Sequence, residues 1–139
     1  MDRLFLDTNI VIDLLARRSP FDRAASEVAS LADLEKVELV VSALSFANAF
    51  YILSKFTSSK IVKEEIRKFK ILTDTSDLTD KVLEQGFESN FGDFEDSLQY
   101  FCALSKGCTH LITRNGKHFK NSLLPVMNAE EYLNSLSIV

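Results

Sequence analysis

Leu4-Phe5-Leu6-Asp7-Thr8-Asn9 is the stretch whose reading decides the fold. Three apolar residues end abruptly on a carboxylate, and two small polar residues follow. Ile10, Val11, Leu14 and Leu15 then recur at the spacing of one helix face. The pattern predicts a buried strand that delivers Asp7 to the end of a sheet, the place where open α/β folds put their chemistry.

Working outward, residues 9–16 continue as a short helix up to Arg17-Arg18-Ser19-Pro20. Ser19 as cap and Pro20 at the first helical position predict a second helix, running to about Leu34 on an apolar stripe. Glu38–Ser42 is a β-branched burst of strand length. Residues 44–55 form an apolar helix with Phe46, Phe50, Tyr51 and Leu53, crossed by Asn48. Ser59 is placed to cap a helix over 60–70 with Ile61, Ile66 and Phe69 inward. Ile71-Leu72-Thr73 reads as a short strand. Ser76 or Asp77 then opens a helix to about Ser89 that carries Val82, Leu83 and Phe87 on one face. Asn90-Phe91-Gly92 breaks it, and Asp93-Phe94-Glu95-Asp96 opens another that stops at Lys106-Gly107. A strand at 110–113, a loop at 114–119, an edge strand at 125–127 and a terminal helix from Ala129 to about Ser135, capped by Asn128, complete the chain.

Strands alternating with helices predict an α/β fold. Its central, mostly parallel sheet of four to five strands is flanked by helices on both faces. Parallel strands end on one side, so Asp7, Ser42 and Thr113 are expected along one rim. At 139 residues the chain reads as a single domain, 1–139. A hydrophobic content of 46% with 11 Phe supplies one core, and only 4 Gly and 2 Pro argue against a hairpin-rich fold. Two cysteines, Cys102 and Cys108, are too few for a disulfide framework and read as buried free thiols. Neither a cleavable leader nor an apolar run near the ~20 residues of a membrane span is present, so the expectation is a cytoplasmic protein without membrane partners. A net charge of −4 argues against passive coating of nucleic acid. It leaves room for an enzyme with a local basic rim and a metal in an acidic pocket.

The acids that carry chemistry are Asp7, Asp93 and Asp96, with Glu95 beside them. Asp93 and Asp96 also read as a helix cap and its acidic partner, and Asp7 as the cap of the first helix. Capping and catalysis are compatible. If Asp7 and Asp96 converge, their repulsion at ~4 Å costs about 4 kcal/mol at an effective dielectric of 20, and a counter-charge is required. Oxygen-only ligands point to Mg²⁺ or Mn²⁺, which promotes attack of water on a phosphodiester. Thr8, Asn9, Ser42, Ser45, Asn48, Thr113 and Asn115 surround the acids, and Arg114 is of the type that pairs with phosphate. Lys55, Lys60, Lys63, Arg67 and Lys68, with Arg17 and Arg18, read either as a solvated face or as a track for a nucleic-acid backbone.

Three blocks together resemble the PIN domain: Leu6-Asp7-Thr8-Asn9 with Asp13 in the following helix, Asp93-Phe94-Glu95-Asp96-Ser97-Leu98, and Leu111-Ile112-Thr113-Arg114-Asn115 with Phe119. The likeness runs through essentially the whole chain and is nearest to small VapC-type toxins of bacterial toxin–antitoxin pairs. It implies a Mg²⁺- or Mn²⁺-dependent endoribonuclease that acts on RNA, works as a homodimer and is restrained by an antitoxin. By position it puts the metal on Asp7 and Asp96, with Asp93 auxiliary to the catalytic set. Thr8, Asn9, Asn48, Thr113, Arg114 and Asn115 position water or substrate. Family members usually carry a Glu where this chain has Asn48, and an acid at the place of Asn115 or His118. Up to two negative ligands are thus neutral here, and weaker metal affinity is expected. A PIN-like module that binds RNA or a protein partner without turnover is the competing reading. Phe21 and the Phe46–Phe56 stretch are candidate docking residues for an antitoxin, or ordinary core.

Overall fold

The computed structural model describes residues 1–136. Five strands and seven helices follow one another as β1 (Arg3–Leu6), α1 (Thr8–Leu15), α2 (Asp22–Asp33), β2 (Glu38–Ser42), α3 (Ala43–Leu53), α4 (Ser59–Ile71), β3 (Thr73–Ser76), α5 (Asp80–Glu88), α6 (Phe94–Ser105), β4 (His110–Ile112), β5 (Val126–Met127) and α7 (Ala129–Leu136), with a 3-10 turn at Gly116–Phe119. The strands form one sheet in the order β3-β2-β1-β4-β5, and every pairing is parallel. The expected α/β architecture with helices on both faces is therefore what forms.

Alternation along β1 divides the core. Leu4 and Leu6 face one side with Leu39, Val41 and Ile112, against α1 to α4 and α7. Phe5 faces the other with Val40 and Leu111, against α5 and α6. All eight of these strand residues are almost wholly buried, as expected where helices cover both faces of a parallel sheet. The chain builds outward from β1 to β2 and β3, then returns to lay β4 and β5 on the opposite side. The strand order thus reverses between β1 and β4, and this switch point is where a crevice opens at the carboxyl ends of the strands. Asp7 follows β1 and Thr113 follows β4, so both stand at that crevice.

Several boundaries differ from the sequence reading for identifiable reasons. The second helix begins at Asp22, after a turn containing a cis Ser19–Pro20 bond, and Phe21 stands before it without a side-chain cap. The Phe21 ring lies 3.9 Å under the Arg114 guanidinium, and the helix starts without the side-chain cap expected from Ser19. Ser58, not Ser59, caps α4, and Val62 rather than Ile61 is its buried residue. That helix absorbs Ile71. The third strand is Thr73–Ser76, a polar edge strand registered from Leu39↔Thr73 to Ser42↔Ser76; only Ser76 of it is buried. Helix α5 starts later than expected, behind Thr79, whose hydroxyl accepts from the Val82 N–H.

The break before α6 is fixed by Phe91, whose ring packs on Tyr100, Phe101 and Phe119. Cys102 and Cys108 are buried free thiols, and burial pushes the Cys108 thiol up to about 12. Of the candidate docking residues, Phe46 and Phe50 lean on the core, whereas Phe21, Tyr51 and Phe56 are exposed, and so is Ile61, which the sequence placed inward. Among the described residues no helix is long and apolar enough to cross a membrane.

Helix α5 approaches α6 closely at Gly86, where an added Cβ would stand 2.9 Å from both Leu98 Cδ2 and Ser97 Oγ. Gly86→Val is expected to cost about 1–3 kcal/mol through overpacking, read as a lowered Tm in thermal melting.

Candidate active site

Asp7 is the centre of the rim. It is 6% exposed and caps α1 at the end of β1. Its Oδ1 accepts from the Thr8 backbone N–H at 2.8 Å and from Gln99 Nε2 at 3.0 Å. Its Oδ2 accepts from the Thr113 hydroxyl at 2.8 Å and, more loosely, from Asn9 Nδ2 at 3.4 Å. All four donors are neutral. Among the described residues neither lysine nor arginine pairs with this carboxylate.

The residues around Asp7 bind one another as closely as they bind it. Thr8 Oγ1 lies 2.7 Å from Ser45 Oγ, and Ser42 Oγ accepts from the Ser45 N–H to cap α3. Asn9 donates to Thr113 Oγ1 and accepts from the Arg114 N–H. The Asn115 N–H donates to the same Thr113 oxygen, while the Asn115 side chain is exposed. The expected rim of Asp7, Ser42 and Thr113 therefore exists as one hydrogen-bonded unit joining the ends of β1, β2 and β4.

Gln99, in the middle of α6, completes this unit and was not singled out from the sequence. It is 1% exposed. No spacing rule marks a lone glutamine inside an amphipathic helix. The one available signal is a polar residue flanked by Leu98 and Tyr100 on the stretch that opens with the candidate acids.

Helix α6 also brings Asp93, Glu95 and Asp96 to the crevice. Asp93 caps it by accepting from the Asp96 N–H at 3.0 Å, as the cap reading expected. Asp96 is half-buried, and its carboxyl is pushed up to about 6, first by burial, then by the charges of Asp93 and Asp7, with Glu95 adding less. His118 Nδ1 stands 3.3 Å from Asp96 Oδ2 and pulls the other way. Glu95 accepts from Asn48 Nδ2 at 2.7 Å, which ties α3 to α6 across the mouth. An open cavity of about 500 Å³ continues from Asp93 and Asp96 past His118 to Lys117 and Lys120.

Arg114 goes elsewhere. Its guanidinium makes a two-bond pair with Asp13, at 2.7 and 3.0 Å. Asp13, wholly buried, also takes Arg18 at 2.9 Å. Arg114 and Arg18 thus neutralise an internal acid rather than reaching toward a phosphate. His110 packs edge-on against Tyr132.

Oxygen donors with surplus negative charge fit a hard divalent cation, which commonly takes one or two carboxylates and keeps several waters. Among the described residues no set of three or more His, Cys, Asp or Glu side chains is arranged to enclose a metal.

Comparison with known proteins agrees with the fold. A PIN domain family model matches residues 3–117. Ribonuclease VapC1 of Aquifex aeolicus strain VF5 is 28% identical over 136 residues, covering 94% of this chain and 93% of that protein. Among solved structures, VapBC2 of Rickettsia felis bound to a DNA fragment from its promoter superposes with a TM-score of 0.68 at 20% identity, over 91% of this chain and 98% of that one. VapC20 of Mycobacterium tuberculosis, a sarcin-ricin loop cleaving toxin, gives 0.65 at 13% identity, over 83% and 92%. At such identities the solved structures attest the fold.

The raised Asp96 carboxyl sets a pH dependence. Its folded value, about 6, lies above the ordinary 3.8, so the folded state binds more protons between the two. Stability then falls as pH rises through that window. Asp96→Asn removes the charge and is expected to raise Tm at pH 7.5 in metal-free buffer, with the gain gone near pH 4; differential scanning calorimetry at both pH values checks it.

Proposed function

The chain belongs to the PIN domain family, and on that footing we propose that it is an endoribonuclease that hydrolyses RNA phosphodiester bonds with Mg²⁺ or Mn²⁺ as the toxin of a toxin–antitoxin pair. The observation that carries the reading is Asp7: a buried carboxylate without a cationic partner among the described residues, whose charge bears on a second acid, Asp96. Burying an ion without a counter-charge is costly. An arrangement that neutralises Asp13 with two arginines and leaves Asp7 to neutral donors has its counter-charge arriving from outside.

Asp7 and Asp96 are the residues that would hold the divalent ion, with Asp93 adding charge from the cap position. Such an ion, when bound, stabilises charge on the phosphoryl oxygens and makes water a better nucleophile. The protein's own contribution is orientation. Thr8, Asn9 and Thr113 donate to the Asp7 carboxylate and fix its direction. Asn48 and Asn115 stand at the mouth as amides able to meet water or a phosphate oxygen. His118 presents an imidazole beside Asp96, and Lys117 and Lys120 give the cavity a basic wall for the strand. Hydrolysis adds water across one P–O bond, leaving a phosphate on one fragment and a hydroxyl on the other.

The Aquifex aeolicus ribonuclease supports the activity, and the toxin–antitoxin assemblies that share the fold support an antitoxin partner. Exposed Tyr51, Phe56 and Ile61 offer apolar area of the kind a protein partner covers. A homodimer acting in the cytoplasm belongs to the same reading. The neutral Asn48, Asn115 and His118, together with a ligand set of two acids, favour the runner-up, an RNA- or partner-binding module without turnover.

One assay separates the two. RNA incubated with the purified protein is expected to be cut in Mg²⁺ or Mn²⁺ and left intact in chelator. Asp7→Asn is expected to lower the rate by at least about a hundredfold, since loss even of a residue that orients a metal ligand reaches that scale. RNA binding without cleavage in either metal would establish the non-catalytic module instead.

A further inference from the structure

Gln99 makes more contacts to the acid site than any residue read from the sequence. It reaches Asp7 Oδ1 at 3.0 Å, Ser45 Oγ at 2.6 Å and Thr8 Oγ1 at 3.3 Å through Nε2, and its Oε1 accepts from Ser42 Oγ at 2.5 Å. Those partners come from the end of β1, the start of α1, the end of β2 and the start of α3. The orientation of the amide is fixed by chemistry. Turned over, it would set its oxygen against the Asp7 carboxylate, which has nothing to donate.

We propose that Gln99 is the positioning residue for Asp7: it fixes one carboxylate oxygen so that the other keeps acceptor capacity for a divalent cation. The two oxygens of Asp7 are unequally occupied. Oδ1 carries two short bonds, from Gln99 and the Thr8 N–H, whereas Oδ2 carries one short bond from Thr113 and one long one at 3.4 Å from Asn9. Gln99 is the side chain that fills Oδ1; the other donor there is backbone. Without it Oδ1 keeps only the Thr8 backbone N–H, and the carboxylate is held less firmly against rotation about its last bond. The residue is also neutral. It can therefore stabilise a buried charge without cancelling it, which an arginine at the same place would do, as Arg114 does to Asp13.

The inference rests on the metal-dependent reading of the site, and the test separates the two. The probe is Mn²⁺ alone, titrated into the full chain and followed by the paramagnetic resonance of free Mn²⁺, with Tm measured on the same samples. Gln99→Met keeps the length of the side chain and removes the donor. Its Mn²⁺ affinity is expected to fall about 10- to 100-fold, the range seen when a residue orienting a metal ligand is lost. In an Asp7→Asn background the same substitution is expected to change Mn²⁺ binding by less than about twofold, because the interaction runs through Asp7. In cleavage assays the loss is expected to be recovered at high Mn²⁺, with KM for RNA unchanged. Gln99→Asn, which keeps the amide but draws its donor one methylene back from Asp7, serves if the Met variant does not fold: it loses the donated bond and is expected to weaken Mn²⁺ binding likewise. Wild-type affinity in folded Gln99 variants, or equal losses with and without Asp7, overturns the positioning role alone. A wild-type chain that neither binds Mn²⁺ nor cleaves RNA overturns the functional reading, and this inference with it.

Discussion

A carboxylate buried at the end of a central parallel strand, with hydrogen bonds but no cationic side chain among the described residues, is the constraint on which the rest of this molecule depends. Asp7 ends the middle strand of the sheet, and its backbone N–H still belongs to the ladder, donating to Ile112 O at 2.9 Å. Its side chain is thus carried by the most rigid part of the fold. Low polarisability around it strengthens each bond it accepts and penalises each one it lacks. The Thr8 N–H, Gln99, Thr113 and Asn9 answer that demand, and in doing so they bind three strand ends and two helix starts to one another.

Two buried aspartates, Asp7 and Asp13, stand at opposite ends of α1's sequence and meet opposite fates. Asp13 is enclosed by Arg114 and Arg18, and the Arg114 plane lies on Phe21, so its charge is settled within the protein and joins α1 to the loop after β4 and the turn before α2. Breaking such a pair leaves an isolated charge and is strongly destabilising, which marks it as part of the frame. Asp7 has only dipoles, and across the crevice stands Asp96, held reluctant to ionise by burial and by its acidic neighbours. One acid stiffens the structure; the other leaves a deficit of positive charge at the place where the strand order reverses.

Much of the frame was legible because it is periodic or punctuated. Leu4 to Leu6, Glu38 to Ser42 and Leu111-Ile112 announce buried strands by their apolar runs. Gly107, at φ +64°, ends α6 where a glycine stop was read. The polar edge strand Thr73–Ser76 was not legible, since three of its four residues are not buried and its pairing comes from β2 rather than from its own composition. Neither was the start of α2, where the chain makes a turn back to Arg18 O before the helix begins at Asp22. In the site, the short list of acids and small polar residues came from their positions at strand ends. The direction of Arg114 and the presence of Gln99 did not, because each depends on a partner about a hundred or nearly sixty positions away.

Sequence by itself determined the layered α/β plan, the emergence of Asp7 at a strand end, the capping of α6 by Asp93 and the burial of Cys102 and Cys108 as free thiols, since periodicity, capping and composition are local properties of a chain. Only the tertiary structure decided that Asp7 and Asp96 act on each other, that Arg114 serves Asp13, and that a glutamine inside α6 holds the central carboxylate. Those outcomes depend on distances through space, and a linear pattern carries no measure of which side chains will share a dry, crowded crevice once the sheet has formed.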